Sequence, residues 1–269
     1  GAGGGKCKTC GKIVGGKKMK DGSRERINIF GVLLDRIDYE QACRTIEAFL
    51  ESGGSKVIVT PNAEIIMAAR KNPELMEMLN SADLCLPDGI GVVIASRIFG
   101  KPLAERTTGF DLMMKVLGIA EKRSLSVFLL GGKADVADKA AARIKEMFPG
   151  LKIAGTHHGY FNKDEEDKII DVINDRNPDI LLVAMGFPKQ EVFMLENREK
   201  LKFCVSMGVG GSFDVLSGNV RRAPVIMQKA GLEWLYRLIT QPWRFKRMMV
   251  LPLFLLEVIK HRLFYNKSQ

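Results

Sequence analysis

The 269-residue chain contains neither a Gly-x-Gly-x-x-Gly loop with an acidic residue about 20 positions on nor a Walker lysine motif. Dinucleotide and ATP binding are therefore disfavoured. Also missing is any Asp-x-Asp pair, the device by which many nucleotide-sugar enzymes hold Mg2+ or Mn2+ against a diphosphate. Histidine is scarce, with three residues, and the one cluster, His157-His158, consists of neighbours. Adjacent side chains on a strand face opposite ways and do not readily share one metal. The five cysteines form no framework. Cys7 and Cys10 make a Cys-x-x-Cys pair that supplies two zinc ligands with no second pair at finger spacing, so an incidental or engineered pair is expected. Cys43, Cys85 and Cys204 stand singly among apolar residues, as buried thiols of a reducing compartment do. No apolar run reaches the ~18 to 20 residues of a membrane span, and no secretory signal is read.

What is present is enough apolar material, 46% of the chain, to bury an α/β core, expected as one domain with an appendage. Residues 1–23 carry a net +5 and eight glycines without apolar periodicity, and read as a flexible leader or expression scar outside the fold. Residues 221–269 carry a net +8, whereas 24–220 carry a net −3. A basic excess confined to the ends points to an anionic surface met by a tail, not to a basic catalytic groove. The expected division is a leader over 1–23, an α/β domain over 24–220 and an appendage over 221–269.

Along the chain, Ile27 to Leu34 alternates like a first strand, and Asp38 with Gln41 makes a capping-box start for a helix ending at Gly53-Gly54. Val57-Ile58-Val59 fits a strand covered on both faces. Asn72-Pro73 restarts a helix as cap and first-turn proline. Leu84 to Leu86, Ser126 to Leu130, Lys152 to Thr156, Asp179 to Ala184 and Phe203 to Val209 read as further strands, with helices between them. This alternation predicts an α/β, Rossmann-like fold: a largely parallel sheet with helices on both faces, plus a C-terminal helical basic appendage.

The stretch from Lys56 to Gly91 organises the rest. Its first strand stops at Thr60-Pro61-Asn62, since Pro61 has no donor, and its second at Pro87-Asp88-Gly89. In parallel sheets ligands bind beyond the carboxyl ends of strands, where Thr60, Asn62 and Asp88 would converge. Local sequence by itself favours Asp88 as a helix cap and Thr60-Pro61-Asn62 as a capped turn. Gly131-Gly132, Gly186 to Gln190 and Gly208 to Asp214 are loops able to approach a phosphate, or plain tight turns. Asp164 to Asp167 is acidic but sits in a first helical turn, where acids favour the dipole. The tail combines Trp234 and Trp243 with Arg237, Arg244 and Arg247 and the apolar stretch from Met248 to Leu256, interrupted by Pro252. Those arginines share a face if the helical phase survives Pro242. Such segments suit a membrane interface, and equally a helix pair packed on the chain's own core or on another subunit.

Thr60-Pro61-Asn62, Pro87-Asp88-Gly89-Ile90-Gly91, Gly186-Phe187-Pro188-Lys189-Gln190-Glu191, Gly208 to Asp214, and Arg222-Ala223-Pro224 through Gly231-Leu232-Glu233-Trp234 together resemble the WecG/TagA/CpsF glycosyltransferases, the TagA enzymes of wall teichoic acid synthesis in particular. The resemblance spans about 24 to 250. It implies inverting transfer of N-acetylmannosamine from its UDP donor to undecaprenyl-diphosphate-linked N-acetylglucosamine, in β-1,4 linkage, by a peripheral protein at the cytoplasmic face of the plasma membrane. On that footing Asp88 is the expected base, with Thr60 and Asn62 orienting donor or acceptor. Arg106 and Gln190 would contact the donor. Gly131, Gly132, Gly186, Gly210, Gly211 and Asp214 would hold the UDP, and Arg237 would neutralise the departing diphosphate with no metal or other cofactor. Trp234, Trp243, Arg244 and Arg247 would meet the membrane. Nucleic acid is not an expected partner, a second copy of the chain is a possible one, and the competing readings are a non-catalytic nucleotide-sugar binder and a transferase for another UDP-hexosamine or uronic acid.

Overall fold

The computed structural model describes residues 24–103, 108–202 and 205–265, apart from the side chains of Arg244, Lys246 and Tyr265. The leader with Cys7 and Cys10, and Arg106 and Cys204, lie outside the described residues.

Ile27 to Leu34 is a hairpin and not the single strand its alternation suggested. β1 (Arg26–Ile29) pairs antiparallel with β2 (Val32–Asp35) through Phe30 and Gly31, both left-handed at φ 53° and 95°. Two such residues in succession mark a type I′ turn. The two-residue turn shifts the alternation by one position, from Ile27 and Ile29 to Val32 and Leu34, and all four are buried on the same face of the hairpin. The hairpin is pinned to the rest by one fully buried carboxylate, Asp35, whose Oδ1 accepts from Arg24 Nε and Arg26 Nε at 3.1 Å and whose Oδ2 accepts from Cys85 N at 2.8 Å.

The chain then builds α1 (Tyr39–Ser52), which opens with the expected Asp38–Gln41 capping box, and β3 (Lys56–Val59). α2 (Ala63–Ala69) and α3 (Pro73–Asn80) follow, the latter capped by Asn72 with Pro73 in its first turn, and lead to β4 (Leu84–Cys85). α4 (Ile90–Ile98) and α5 (Gly109–Lys122) precede β5 (Ser126–Gly131), α6 (Val136–Met147), β6 (Lys152–His157), α7 (Lys163–Arg176) and β7 (Ile180–Ala184). Next come α8 (Lys189–Glu196) and β8 (Val205–Gly208). The six strands β3 to β8 pair in parallel in the order β4-β3-β8-β7-β5-β6. Successive side chains serve opposite faces. Val57, Val59, Leu181 and Val183 enter one apolar cluster, while Ile58, Leu182 and Met207 enter the other. The last strands fill the gap between β3 and β5, so the carboxyl ends form one row.

Beyond the sheet lie α9 (Ser212–Leu216), α10 (Val225–Lys229), α11 (Glu233–Thr240), a 3-10 turn (Pro242–Arg244), α12 (Phe245–Met248) and α13 (Val250–Tyr265). The helical phase does not survive Pro242: Gln241 at φ −135°, ψ 68° ends α11, so Arg237 and Arg247 are not on one helix face. α13 packs on α2 and α4, with Phe254 and Val258 fully buried. Gly91 makes this approach possible, since a Cβ there would stand 2.4 Å from Leu251 Cδ1. Among the described residues no helix is long and apolar enough to cross a membrane.

If α13 is a structural layer, Phe254→Ala should cost about 3–5 kcal/mol and lower the melting temperature by roughly 10 °C, as scanning calorimetry would read. An unchanged melting point would mean that α13 contributes nothing to the core.

Candidate functional site

The loops after β3 and β4 are joined by backbone hydrogen bonds. Leu86 N donates to Val59 O at 2.9 Å and Asp88 N to Pro61 O at 3.1 Å. Asn62 caps α2, its Oδ1 accepting from Ile65 N at 3.1 Å. Asp88, by contrast, is not the cap of α4. Gly89 holds that position at φ +86° without a side-chain bond, and the half-buried Asp88 lines a cavity of about 650 Å³ together with Thr60 and Asn62. Thr60 Oγ1 lies against the start of α5, 3.1 Å from where a Cβ on Gly109 would stand.

The glycine loops divide into two kinds. Gly132, Gly186, Gly210 and Gly211 line the cavity, as does the half-buried Asp214. Gly131 does not. It is buried at the end of β5, where a Cβ would fall 2.4 Å from the carbonyl oxygen of Ala184, so its role is close strand packing. Gln190 is 5% exposed, and its Oε1 accepts from both Gly186 N at 3.2 Å and Gly210 N at 3.0 Å. Its Nε2 donates to Glu191 Oε1 at 2.9 Å. Burial pushes the Glu191 carboxyl above the usual range, and the Gln190 bond offsets this only in part.

The tail supplies the remaining wall. Trp234 and Arg237 face the cavity. Arg247 closes an ion pair with Glu64 of α2, its Nε and Nη2 meeting the two oxygens at 2.8 and 3.1 Å. Trp243 points away and is 76% exposed. Arg222 holds the start of the tail: it pairs with Asp111 Oδ1 at 2.6 Å, stacks 4.4 Å from the Phe110 ring centre and lies 3.8 Å from Glu233. Asp111 Oδ2 in turn accepts from Thr108 Oγ1 at 2.5 Å. Thr108 N donates to the hydroxyl of Tyr39 at 2.8 Å, and burial pushes that phenol up.

The expectation that the basic excess would avoid the groove is overturned. Lys133, Lys189, Arg221, Arg222, Arg237 and Arg247 all line the cavity, and four of them, Lys133, Lys189, Arg221 and Arg237, have no ion pair among the described residues. The two lysines were not picked out from the sequence, nor was Tyr160 on the rim. A signal existed for the lysines: each stands within three residues after a glycine in the loop that follows a strand. Among the described residues no group of three or more His, Cys, Asp or Glu side chains is placed to hold a metal ion.

Comparison with known proteins gives a family and near relatives. The model of the "Glycosyl transferase WecG/TagA/CpsF family" matches residues 27–268. A protein of Bacillus spizizenii (strain ATCC 23059 / NRRL B-14472 / W23) is 43% identical over 213 residues, which cover 79% of this chain and 82% of the relative. One of Bacillus subtilis (strain 168) is 42% identical, covering 79% and 84%, and one of Staphylococcus aureus (strain NCTC 8325 / PS 47) is 34% identical, covering 91% and 96%. All three carry the name N-acetylglucosaminyldiphosphoundecaprenol N-acetyl-beta-D-mannosaminyltransferase.

If Arg222 anchors the tail, Arg222→Ala should speed limited tryptic cleavage at Lys229 and Arg237 several-fold while lowering global stability by only about 1 kcal/mol. Equal cleavage rates in the two proteins would remove the anchor.

Proposed function

The chain belongs to the WecG/TagA/CpsF family of glycosyl transferases, and from that premise we propose that it moves N-acetylmannosamine from a UDP donor to undecaprenyl-diphosphate-linked N-acetylglucosamine, with inversion and without a divalent metal. The observation that carries the reading is the pairing of one carboxylate at a strand end, Asp88, with four basic side chains lacking ion pairs among the described residues, in one cavity of about 650 Å³. That volume lies in the range of small-molecule sites, about 300–1,000 Å³.

In this mechanism the Asp88 carboxylate takes the proton of the acceptor's 4-hydroxyl while the oxygen attacks the donor's anomeric carbon. The new C–O bond forms on the face opposite the diphosphate. The old one breaks with its electron pair leaving on UDP, which yields the β linkage. Negative charge then builds on the diphosphate, and Arg237, with Lys133, Lys189 and Arg221 nearby, stabilises it in the way a metal does elsewhere. Thr60 and Asn62 orient the sugars. Gly132, Gly186, Gly210, Gly211 and Asp214 hold the nucleotide, and Arg106 adds a donor contact. The segment after Val220 also carries the exposed apolar side chains of Ile226, Ile239, Trp243, Phe245 and Leu253 in a stretch of net basic sequence, which suits peripheral attachment to the anionic inner face of a membrane, where the lipid-linked acceptor resides.

Truncation before Val220 would strip α13 from the core, so point substitutions are the cleaner test. Asp88→Asn should lower kcat by about 10²–10⁴-fold at an unchanged melting temperature, and EDTA should leave the wild-type rate unaltered. Near-normal turnover of the folded variant would take Asp88 out of the base role. In flotation with vesicles containing phosphatidylglycerol, Trp243→Ala combined with Ile239→Ser should weaken binding by about tenfold or more; undiminished flotation would exclude this face.

A further inference from the structure

Glu191 is 1% exposed in the first turn of α8 and forms no ion pair among the described residues. Of its two oxygens, Oε1 accepts from Gln190 Nε2, and Oε2 has no hydrogen-bond partner among the described residues. A buried carboxyl without an ion pair stabilises little, and a methionine or leucine would fill the same volume without the desolvation cost. What the carboxyl can do, and an apolar side chain cannot, is accept from Nε2.

That acceptor matters because the Gln190 amide is asymmetric. Its oxygen sits between the N–H groups of Gly186 and Gly210, at 3.2 and 3.0 Å, so the amide must present oxygen on that side and NH2 on the other. Turned over, it would set two of its own donors against two backbone donors. Space offers little alternative: a Cβ on Gly208 would come within 2.7 Å of Nε2 and 3.2 Å of Met194 Cε. The three groups form one chain, from a carboxyl under the cavity wall, through an amide, to two glycine loops that line it.

We propose that Glu191 is a positioning residue which, by accepting from Nε2, fixes the Gln190 oxygen towards Gly186 and Gly210 and so sets the wall that receives the nucleotide of the donor. This rests on the reading of the cavity as a nucleotide-sugar site. Neither the Gly186 nor the Gly210 N–H has a backbone acceptor among the described residues, so each relies on the Gln190 oxygen. Glutamine at 191 keeps an acceptor at the same reach. Methionine removes it, and aspartate withdraws it by one methylene.

The test uses the full chain with Glu191→Gln, Glu191→Met and Glu191→Asp, and two readouts. Amide hydrogen exchange at Gly186 and Gly210 should quicken about tenfold or more in the methionine and aspartate variants and stay within about threefold of wild type in the glutamine variant. UDP affinity by calorimetry, and KM for the UDP-sugar, should worsen by about tenfold in the same two variants, with kcat falling less than KM rises. A purely structural role would shift melting temperature in all variants and move neither glycine amide selectively. Unchanged exchange at both glycines in whichever of the methionine and aspartate variants folds would overturn the proposal. Should wild type bind no UDP, the nucleotide-sugar reading fails, while the exchange result still decides whether Glu191 positions Gln190.

Discussion

One amide oxygen holds the centre of this protein together. A parallel sheet delivers all its strand ends to one edge, and there the backbone leaves the ladder with N–H groups that need acceptors. At the seam between β7 and β8 the acceptor is Gln190 Oε1, shared by Gly186 and Gly210. The two loops thereby become one surface. Without that joint, Gly186 and Gly210, with no side chains to pack, would be the most mobile part of the sheet edge.

The tail completes what the sheet begins. α13 is bound by burial, with Phe254 and Val258 sealed against α2 and α4 and Gly91 permitting the contact. Between that anchor and Arg222, the segment from Ala223 to Met249 crosses the cavity mouth, held at its near end by Asp111 and at its far end by the Arg247–Glu64 pair. The charged groups spent on those anchors are paired. Arg221 and Arg237, with no ion pair among the described residues, face the cavity with Lys133 and Lys189. Residues 24–220 carry a net negative charge, and four of the six basic side chains lining the cavity come from the chain beyond them.

Much of this architecture was legible because local physics and global fold agree. The Asp38–Gln41 capping box, the Asn72-Pro73 restart and the β-branched strand at Val57 to Val59 all form where their chemistry predicts. The hairpin was hidden for a specific reason: the turn announces itself only by a one-position shift in the alternation, between Ile29 and Val32, and Phe30 is not a residue that announces a left-handed turn. The double reading of Asp88 was likewise undecidable locally, since a carboxylate before a helix serves as cap or as ligand. Only the left-handed Gly89 takes the cap position away from it.

Residue order alone determined the strand and helix alternation, the turn chemistry and the set of polar strand ends, because each depends on neighbours a few positions away. It also carried the family resemblance, through motifs that keep their spacing along the chain. Tertiary structure decided which glycines face the cavity and which, like Gly131, serve packing, and it turned Arg247 to Glu64 and Gln190 to a pair of backbone N–H groups. Apart from the local Gly186–Gln190 bond, those outcomes depend on contacts between residues 20 to 183 positions apart in the chain, and such contacts exist only once the sheet has brought its strand ends together and burial has laid α13 against its flank.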